Sequence, residues 1–176
     1  MSDERRVLVT GGAGFIGTSL VRHLLADDHQ VRIFDTLARN TFASSELADD
    51  PRVELVVGDV RDSDALVDAA RGCMAIVHLA SVAGVATVLN NPVKTMRIAI
   101  DGTTNVLEAA KEVASIERIV TFSTSEVFGR FAFNVDESIA TPIGPVGEAR
   151  WTYAVSKIAS EHLAHAYGRE HGLPVV

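Results

Sequence analysis

Val7-Leu8-Val9-Thr10-Gly11-Gly12-Ala13-Gly14-Phe15-Ile16-Gly17 is the stretch whose reading decides the fold. A β-branched and aliphatic run ends in a glycine-rich turn, and the turn opens an amphipathic segment from Phe15 to about Ala26. Gly11 suits the backbone of a tight turn. Gly14 lacks the Cβ that would hold a diphosphate at a distance, and Gly17 lets the helix lie close on the strand. The helix start offers N–H donors and a positive dipole end, so Phe15 and Ile16 join the glycines as candidate cofactor contacts. His29 to Asp35 reads as the next strand, and Asp35 closes it where a carboxylate takes ribose hydroxyls. Strand, glycine turn, helix and acid together predict a site for NAD. Arg39 favours the 2′-phosphate of NADP, but Asp35 would repel it. A glycine turn that serves packing only is the competing reading, and the acid at position 35 counts against it.

The elements that follow keep the same alternation. After a polar stretch from Ala38 to Asp50, Val53 to Val57 reads as a third strand, and Ser63 as the N-cap of a helix through Ala70. Ala75 to Ala80 is a fourth strand, apolar on both faces as a central parallel strand should be. Pro92 opens a long helix with Met96, Ile100, Thr103, Val106, Leu107, Ala110 and Val113 on its apolar face. Ile119 to Phe122 is a fifth strand. A long connection, Gly129 to Arg150, leads to a helix from about Trp151 to His171, and Pro174-Val175-Val176 looks like the opening of a sixth strand. Strands alternating with helices predict an α/β fold, a doubly wound parallel sheet of the Rossmann type with right-handed crossovers.

The 176 residues carry a net charge of −7, which speaks against a nucleic-acid or anionic-membrane partner. No apolar run approaches membrane-spanning length. The single cysteine, Cys73, lies among apolar neighbours as a buried thiol and fits a reducing cytoplasm. Met1 to Arg6 runs straight into the first strand, so no signal peptide is expected. His162 and His165 share a helix face without a third ligand at sensible spacing, so no metal site is expected. His78, at the end of a central strand, reads as a hydrogen-bonded core histidine.

Chemistry enters with Tyr153 and Lys157, one helical turn apart on one face. A free tyrosine is a poor base at neutral pH, and a nearby ammonium or a positively charged nicotinamide favours its phenolate form. Such a pair can take a proton from a sugar hydroxyl while NAD+ takes the hydride.

Taken together, Thr10 to Gly17, Gly58-Asp59-Val60, His78-Leu79-Ala80, Ser123-Thr124-Ser125-Glu126-Val127-Phe128-Gly129 and Tyr153 to Lys157 resemble the extended short-chain dehydrogenase/reductases, the nucleotide-sugar epimerase, dehydratase and decarboxylase group. That resemblance implies that Asp59 and Val60 contact the adenine, that Leu79, Ala80 and Ser81 line the middle of the cofactor with Ser123 further along, and that Tyr153 and Lys157 touch it at the nicotinamide end. It implies Thr124 as the hydroxyl partner of Tyr153, Thr124, Ser125 and Glu126 at the sugar, and Thr124, Glu126, Tyr153 and Lys157 as the catalytic set.

Within the group, Ser123 to Glu126 with Gly144-Pro145 and Arg150 to Tyr153 look most like UDP-glucuronate decarboxylases. Glu126 would then stand over the sugar as an acid/base or orienting group, its bland alternative being a solvated loop carboxylate. UDP-glucose 4-epimerase and sugar 4,6-dehydratase activities are the runners-up, and a dinucleotide-binding fragment or sensor without turnover is the alternative of another class. Three positions depart from the family pattern: Ala99 where an asparagine is usual, Phe128 where tyrosine is commoner, and Ser81 where alanine is commoner. Relatives continue into a C-terminal substrate domain absent here. The resemblance therefore implies that residues 1–176 are an NAD-binding Rossmann domain, five strands and the start of a sixth, inactive as a fragment. A homodimer is compatible with it.

Overall fold

The computed structural model describes residues 5–82 and 84–176, and the expectation about a leaderless start at Met1 to Glu4 lies outside them. Five parallel strands, β1 (Arg6–Thr10), β2 (Gln30–Asp35), β3 (Val53–Val57), β4 (Ala75–His78) and β5 (Arg118–Thr121), form one sheet in the order β3-β2-β1-β4-β5. Ile119 also pairs in parallel with Val175, so the last residues occupy a sixth place beside β5, as their sequence suggests. Five helices connect the strands: α1 (Phe15–Ala26), α2 (Ser63–Ala70), α3 (Val85–Asn90), α4 (Pro92–Glu112) and α5 (Thr152–His171).

Strand alternation sorts the core into two layers. Val7, Val9, Val31 and Ile33 pack with Val21 and Leu25 of α1, while Leu8, Phe34, Ile76 and Ile119 pack with Leu66, Val106 and Leu107 of α2 and α4. All of these are buried, which is why the central strands read as continuous apolar runs. Cys73 lies in the second layer, and His78 is buried at the end of β4.

Local chemistry corrects several sequence expectations. The N-cap of α2 is Asp62, whose carboxylate accepts from the Ala65 amide; Ser63 is the first helical residue. Arg32 ties off the other end of α2 by donating to the carbonyls of Ala69 and Arg71. On α4 the buried stripe in the first half is Thr95 and Ala99, with Met96 and Ile100 half-buried. Hydrophobicity favours the larger pair, but α5 packs close along α4, and close approach selects small residues. The polar stretch before β3 contributes Phe42 and Leu47 to the core, and the short helix α3 had no periodic signal. Among the described residues no helix is long and apolar enough to cross a membrane.

Candidate functional site

The strand order reverses between β1 and β4, which opens a crevice at their carboxyl ends. The glycine turn fills the base of that crevice. Gly11 has φ +72°, and a Cβ there would stand 2.7 Å from the Ala80 amide nitrogen, so only glycine lets the turn lie against the exit of β4. At Gly17 a Cβ would come within 2.5 Å of the Gly12 Cα. Its role is thus close packing of α1 on the turn itself rather than on the strand. Gly14 is the N-cap of α1, with no side-chain cap and no acidic residue in the first turn. A Cβ at Gly14 would meet only the Gly11 carbonyl, at 3.4 Å. Among the described residues no side chain caps the first-turn amides of α1, the arrangement that accepts a phosphate. Phe15 and Ile16, 85% and 57% exposed, stand at the mouth.

The crevice walls come from three other strand ends. Asp35 lies under the turn, one carboxylate oxygen accepting from the Ala13 amide and the other from the Leu37 amide. Asp59 is gripped by Arg61 through its backbone amide and two guanidinium nitrogens, and this hydrogen bonding holds the Asp59 carboxyl below its usual range. Val60 is buried, and its carbonyl accepts from the Asn105 side chain on α4. Leu79 and Ala80 hang from Thr10, one by its carbonyl and the other by its hydroxyl. Ser81 follows them, and its hydroxyl is buried without a hydrogen-bond partner among the described residues. A buried hydroxyl in need of a partner and an uncapped helix start on one crevice both fit a bound dinucleotide.

Beyond β5 the chain bends into a one-turn helical segment, Ser125–Phe128. Thr124 caps it, its oxygen accepting from the Glu126 amide at 3.3 Å, which leaves the hydroxyl hydrogen available to a ligand. Ser125 and Glu126 are exposed. Ser123 donates to Glu161 of α5 in a short hydrogen bond. The connection from Gly129 onward folds back on Trp151, two residues before Tyr153, and with it borders an open pocket of about 320 Å³ lined by Arg130, Phe131, Ile143 and Glu148.

Helix α5 carries Tyr153 half-buried and Lys157 only 4% exposed. The Lys157 ammonium sits 6.0 Å from the Tyr153 ring centroid and donates at 2.7 Å to the carbonyl of Phe122 at the end of β5. Burial lowers its pKa from the ordinary value to about 8, partly offset by the charge of Glu161. The structure thus brings Thr124, Tyr153 and Lys157 to the mouth of β5 and groups the glycine turn, Asp35, Asp59, Val60, Leu79, Ala80 and Ser81 along the crevice. Sequence reading missed Phe122, whose contribution is a backbone carbonyl and leaves no signal. It also missed Asn105 and Glu161. The i, i+4 spacing of Lys157 and Glu161 on a predicted helix was the available hint for the latter.

His162 and His165 are both exposed. Among the described residues no group of three or more His, Cys, Asp or Glu side chains is arranged to hold a metal ion.

Comparison with known proteins accords with this geometry. A family model described as "NAD dependent epimerase/dehydratase family" matches residues 7–176. UDP-N-acetyl-alpha-D-glucosaminuronate decarboxylase of Bacillus cytotoxicus is 30% identical over 172 residues, covering 98% of this chain and 52% of the relative. dTDP-glucose 4,6-dehydratase of Streptomyces niveus is 36% identical over 181 residues, covering 97% and 52%. Among solved structures, a double mutant of dTDP-glucose 4,6-dehydratase from Streptomyces venezuelae with NAD bound superposes with a TM-score of 0.84 at 35% identity, over 97% of this chain and 53% of that one. The chain spans about half the length of the curated relatives it matches.

Proposed function

The chain belongs to the NAD dependent epimerase/dehydratase family, and from that premise we propose that it is the NAD-binding domain of an enzyme that oxidises a nucleotide sugar at C4 and, in the favoured reading, decarboxylates a uronic acid. The observation that carries the reading is the buried Lys157 on the same helix face as Tyr153, held by the Phe122 carbonyl at the end of β5, two residues before Thr124.

NAD+, when bound, supplies the hydride acceptor. The glycine turn and the first-turn amides of α1 would hold its diphosphate, Asp35 its adenosine ribose, and Leu79 to Ser81 its middle. Tyr153 takes the proton of the C4 hydroxyl, and Thr124 holds that hydroxyl in reach. Lys157 supports the phenolate electrostatically and binds the nicotinamide ribose. Oxidation at C4 places a ketone β to the C5 carboxylate. The C5–carboxyl bond then breaks with loss of CO2, its electron pair passes into the enolate, and C5 regains a proton. Glu126 stands on the loop that faces the sugar, as a proton donor or an orienting group.

A 4,6-dehydratase is the runner-up, favoured by the same acid after Thr124. A 4-epimerase and a non-catalytic NAD-binding fragment complete the set. The test incubates the chain, and any longer protein that contains it, with NAD+ and UDP-glucuronate, UDP-glucose, UDP-galactose or dTDP-glucose, following products by mass spectrometry and NMR. Release of CO2 with a UDP-4-ketopentose, or with a UDP-pentose once the hydride has returned to C4, supports the decarboxylase. Loss of water from dTDP-glucose, or glucose–galactose interconversion with glucuronate intact, replaces it by the dehydratase or the epimerase. NAD binding without any product from either protein selects the non-catalytic reading.

A further inference from the structure

Four buried polar side chains lie between the glycine turn and α5, and the chemistry above uses none of them: Thr10, His78, Thr103 and Ser160. Their hydrogen bonds can be assigned by elimination. Ser160 Oγ lies 3.2 Å from the Ala99 carbonyl and 3.0 Å from the Ser156 carbonyl. Carbonyls only accept, so the Ser160 hydrogen is committed to them. Thr103 Oγ1, 3.1 Å from Ser160 Oγ, must then be the donor of that pair. With its own hydrogen spent, Thr103 accepts from His78 Nε2–H at 3.3 Å. The neutral imidazole has an acceptor at Nδ1, which takes the Thr10 hydroxyl hydrogen at 2.7 Å, and Thr10 in turn accepts from the Ala80 amide. One unidirectional line therefore runs from Ala80 on the cofactor crevice through β1, β4 and α4 to Ser160 on α5. Ser160 lies one turn beyond Ser156 and Lys157, and its hydroxyl reaches α4 at Ala99, where the family usually has an asparagine.

We propose that Ser160 is a positioning residue for the Tyr153–Lys157 face, setting α5 against α4 through this buried line. The inference rests on the reading of that face given above. Ser160 ends the line at a carbonyl of the facing helix, which fixes the depth at which Lys157 meets the Phe122 carbonyl. Without its hydroxyl, Thr103 would turn its hydrogen to the Ala99 carbonyl of its own helix, and the buried polar tie between α4 and α5 would be lost, leaving the exposed Tyr167–Glu108 hydrogen bond toward the other end of the helix pair.

Ser160→Ala removes only the hydroxyl. Ser156→Ala is the matched control: Ser156 is equally buried on α5, but its hydroxyl donates to Tyr153 O within the same helix. On the full chain, NADH affinity is measured by fluorescence, the Lys157 midpoint by NMR of its labelled side chain, and stability by urea unfolding. Ser160→Ala should weaken NADH binding roughly five-fold, the factor a single net hydrogen bond carries. It should also move the Lys157 midpoint up by about half a unit toward the exposed-lysine value, while Ser156→Ala changes neither. If Ser160→Ala lowers stability yet leaves both readouts at wild-type values, or if the two variants behave alike, Ser160 is a structural hydroxyl and the inference fails. Neither readout involves a sugar, so failure of the chain to process any nucleotide sugar would sink the proposed function and leave this test standing.

Discussion

Lys157 gives up nearly all its solvent for one carbonyl partner, and that exchange sets a pH signature. Its folded pKa is about 8, below the unfolded value near 10.5. Between those values the unfolded chain binds more protons than the folded one, so this group's contribution to stability rises with pH. Below pH 8 both states are protonated and the burial penalty is present in full; above 10.5 it is relieved. The difference amounts to about 3 kcal/mol at most. Lys157→Met removes the titrating group while keeping an apolar stem, so the stability gap between variant and wild type should move in favour of the wild type between pH 7 and 9.5. Urea midpoints at the two pH values check this, and a pH-independent gap would mean that the ammonium is solvated. The pairing with Tyr153 was legible from the spacing of the two residues. The depth of burial was not, because it depends on how closely α4 and α5 pack, and a small residue such as Ala99, whose carbonyl meets Ser160, carries little signal in a hydrophobicity pattern.

At the scale of elements, β1, the glycine turn and α1 were readable almost to the residue, since each glycine answers a local constraint. The first half of the α4 stripe and the α2 cap were displaced by one position, because tertiary packing and a competing carboxylate decide them, whereas Thr103, Val106, Leu107, Ala110 and Val113 are buried as their spacing suggests. The irregular connection 129–150 has no period to read, and its course is set by contacts with Trp151. Within the turn, the space around each glycine makes the two roles read for Gly14 and Gly17 separable by mutation. Gly17→Ala would drive a Cβ to 2.5 Å from the Gly12 Cα, so the turn must shift. The expected outcome is a loss of about 1–3 kcal/mol in stability together with cofactor affinity. Gly14→Ala meets only one carbonyl at ordinary contact distance, and its φ of −78° suits alanine. That variant should keep wild-type stability while NADH affinity falls roughly ten-fold or more, because the methyl group occupies the approach to the first-turn amides. Thermal unfolding and NADH titration on both variants separate the cases. Unchanged affinity in Gly14→Ala would place the diphosphate elsewhere.

At the scale of the whole molecule, the crevice gathers the exits of β1, β2, β3 and β4, so a ligand seated there ties the sheet together across its order reversal. A ligand that binds only the folded chain stabilises it by mass action, about 2.7 kcal/mol at one hundred times its Kd. For a chain of 176 residues that corresponds to a rise of roughly 5–10 °C in Tm. NADH should produce this shift, and NADPH at the same concentration a much smaller one, because the Asp35 carboxylate would face the 2′-phosphate at the end of β2. Asp35→Asn separates charge from geometry: the amide oxygen still accepts one of the two backbone N–H groups that hold the turn, but the repulsion is gone. The variant should bind NADH somewhat less tightly and close most of the gap to NADPH, a change on the order of ten-fold in the ratio of the two affinities. Equal shifts by NADH and NADPH in the wild type would overturn the role of Asp35 and return Arg39, across the crevice beside Gly84, as the residue that selects the cofactor.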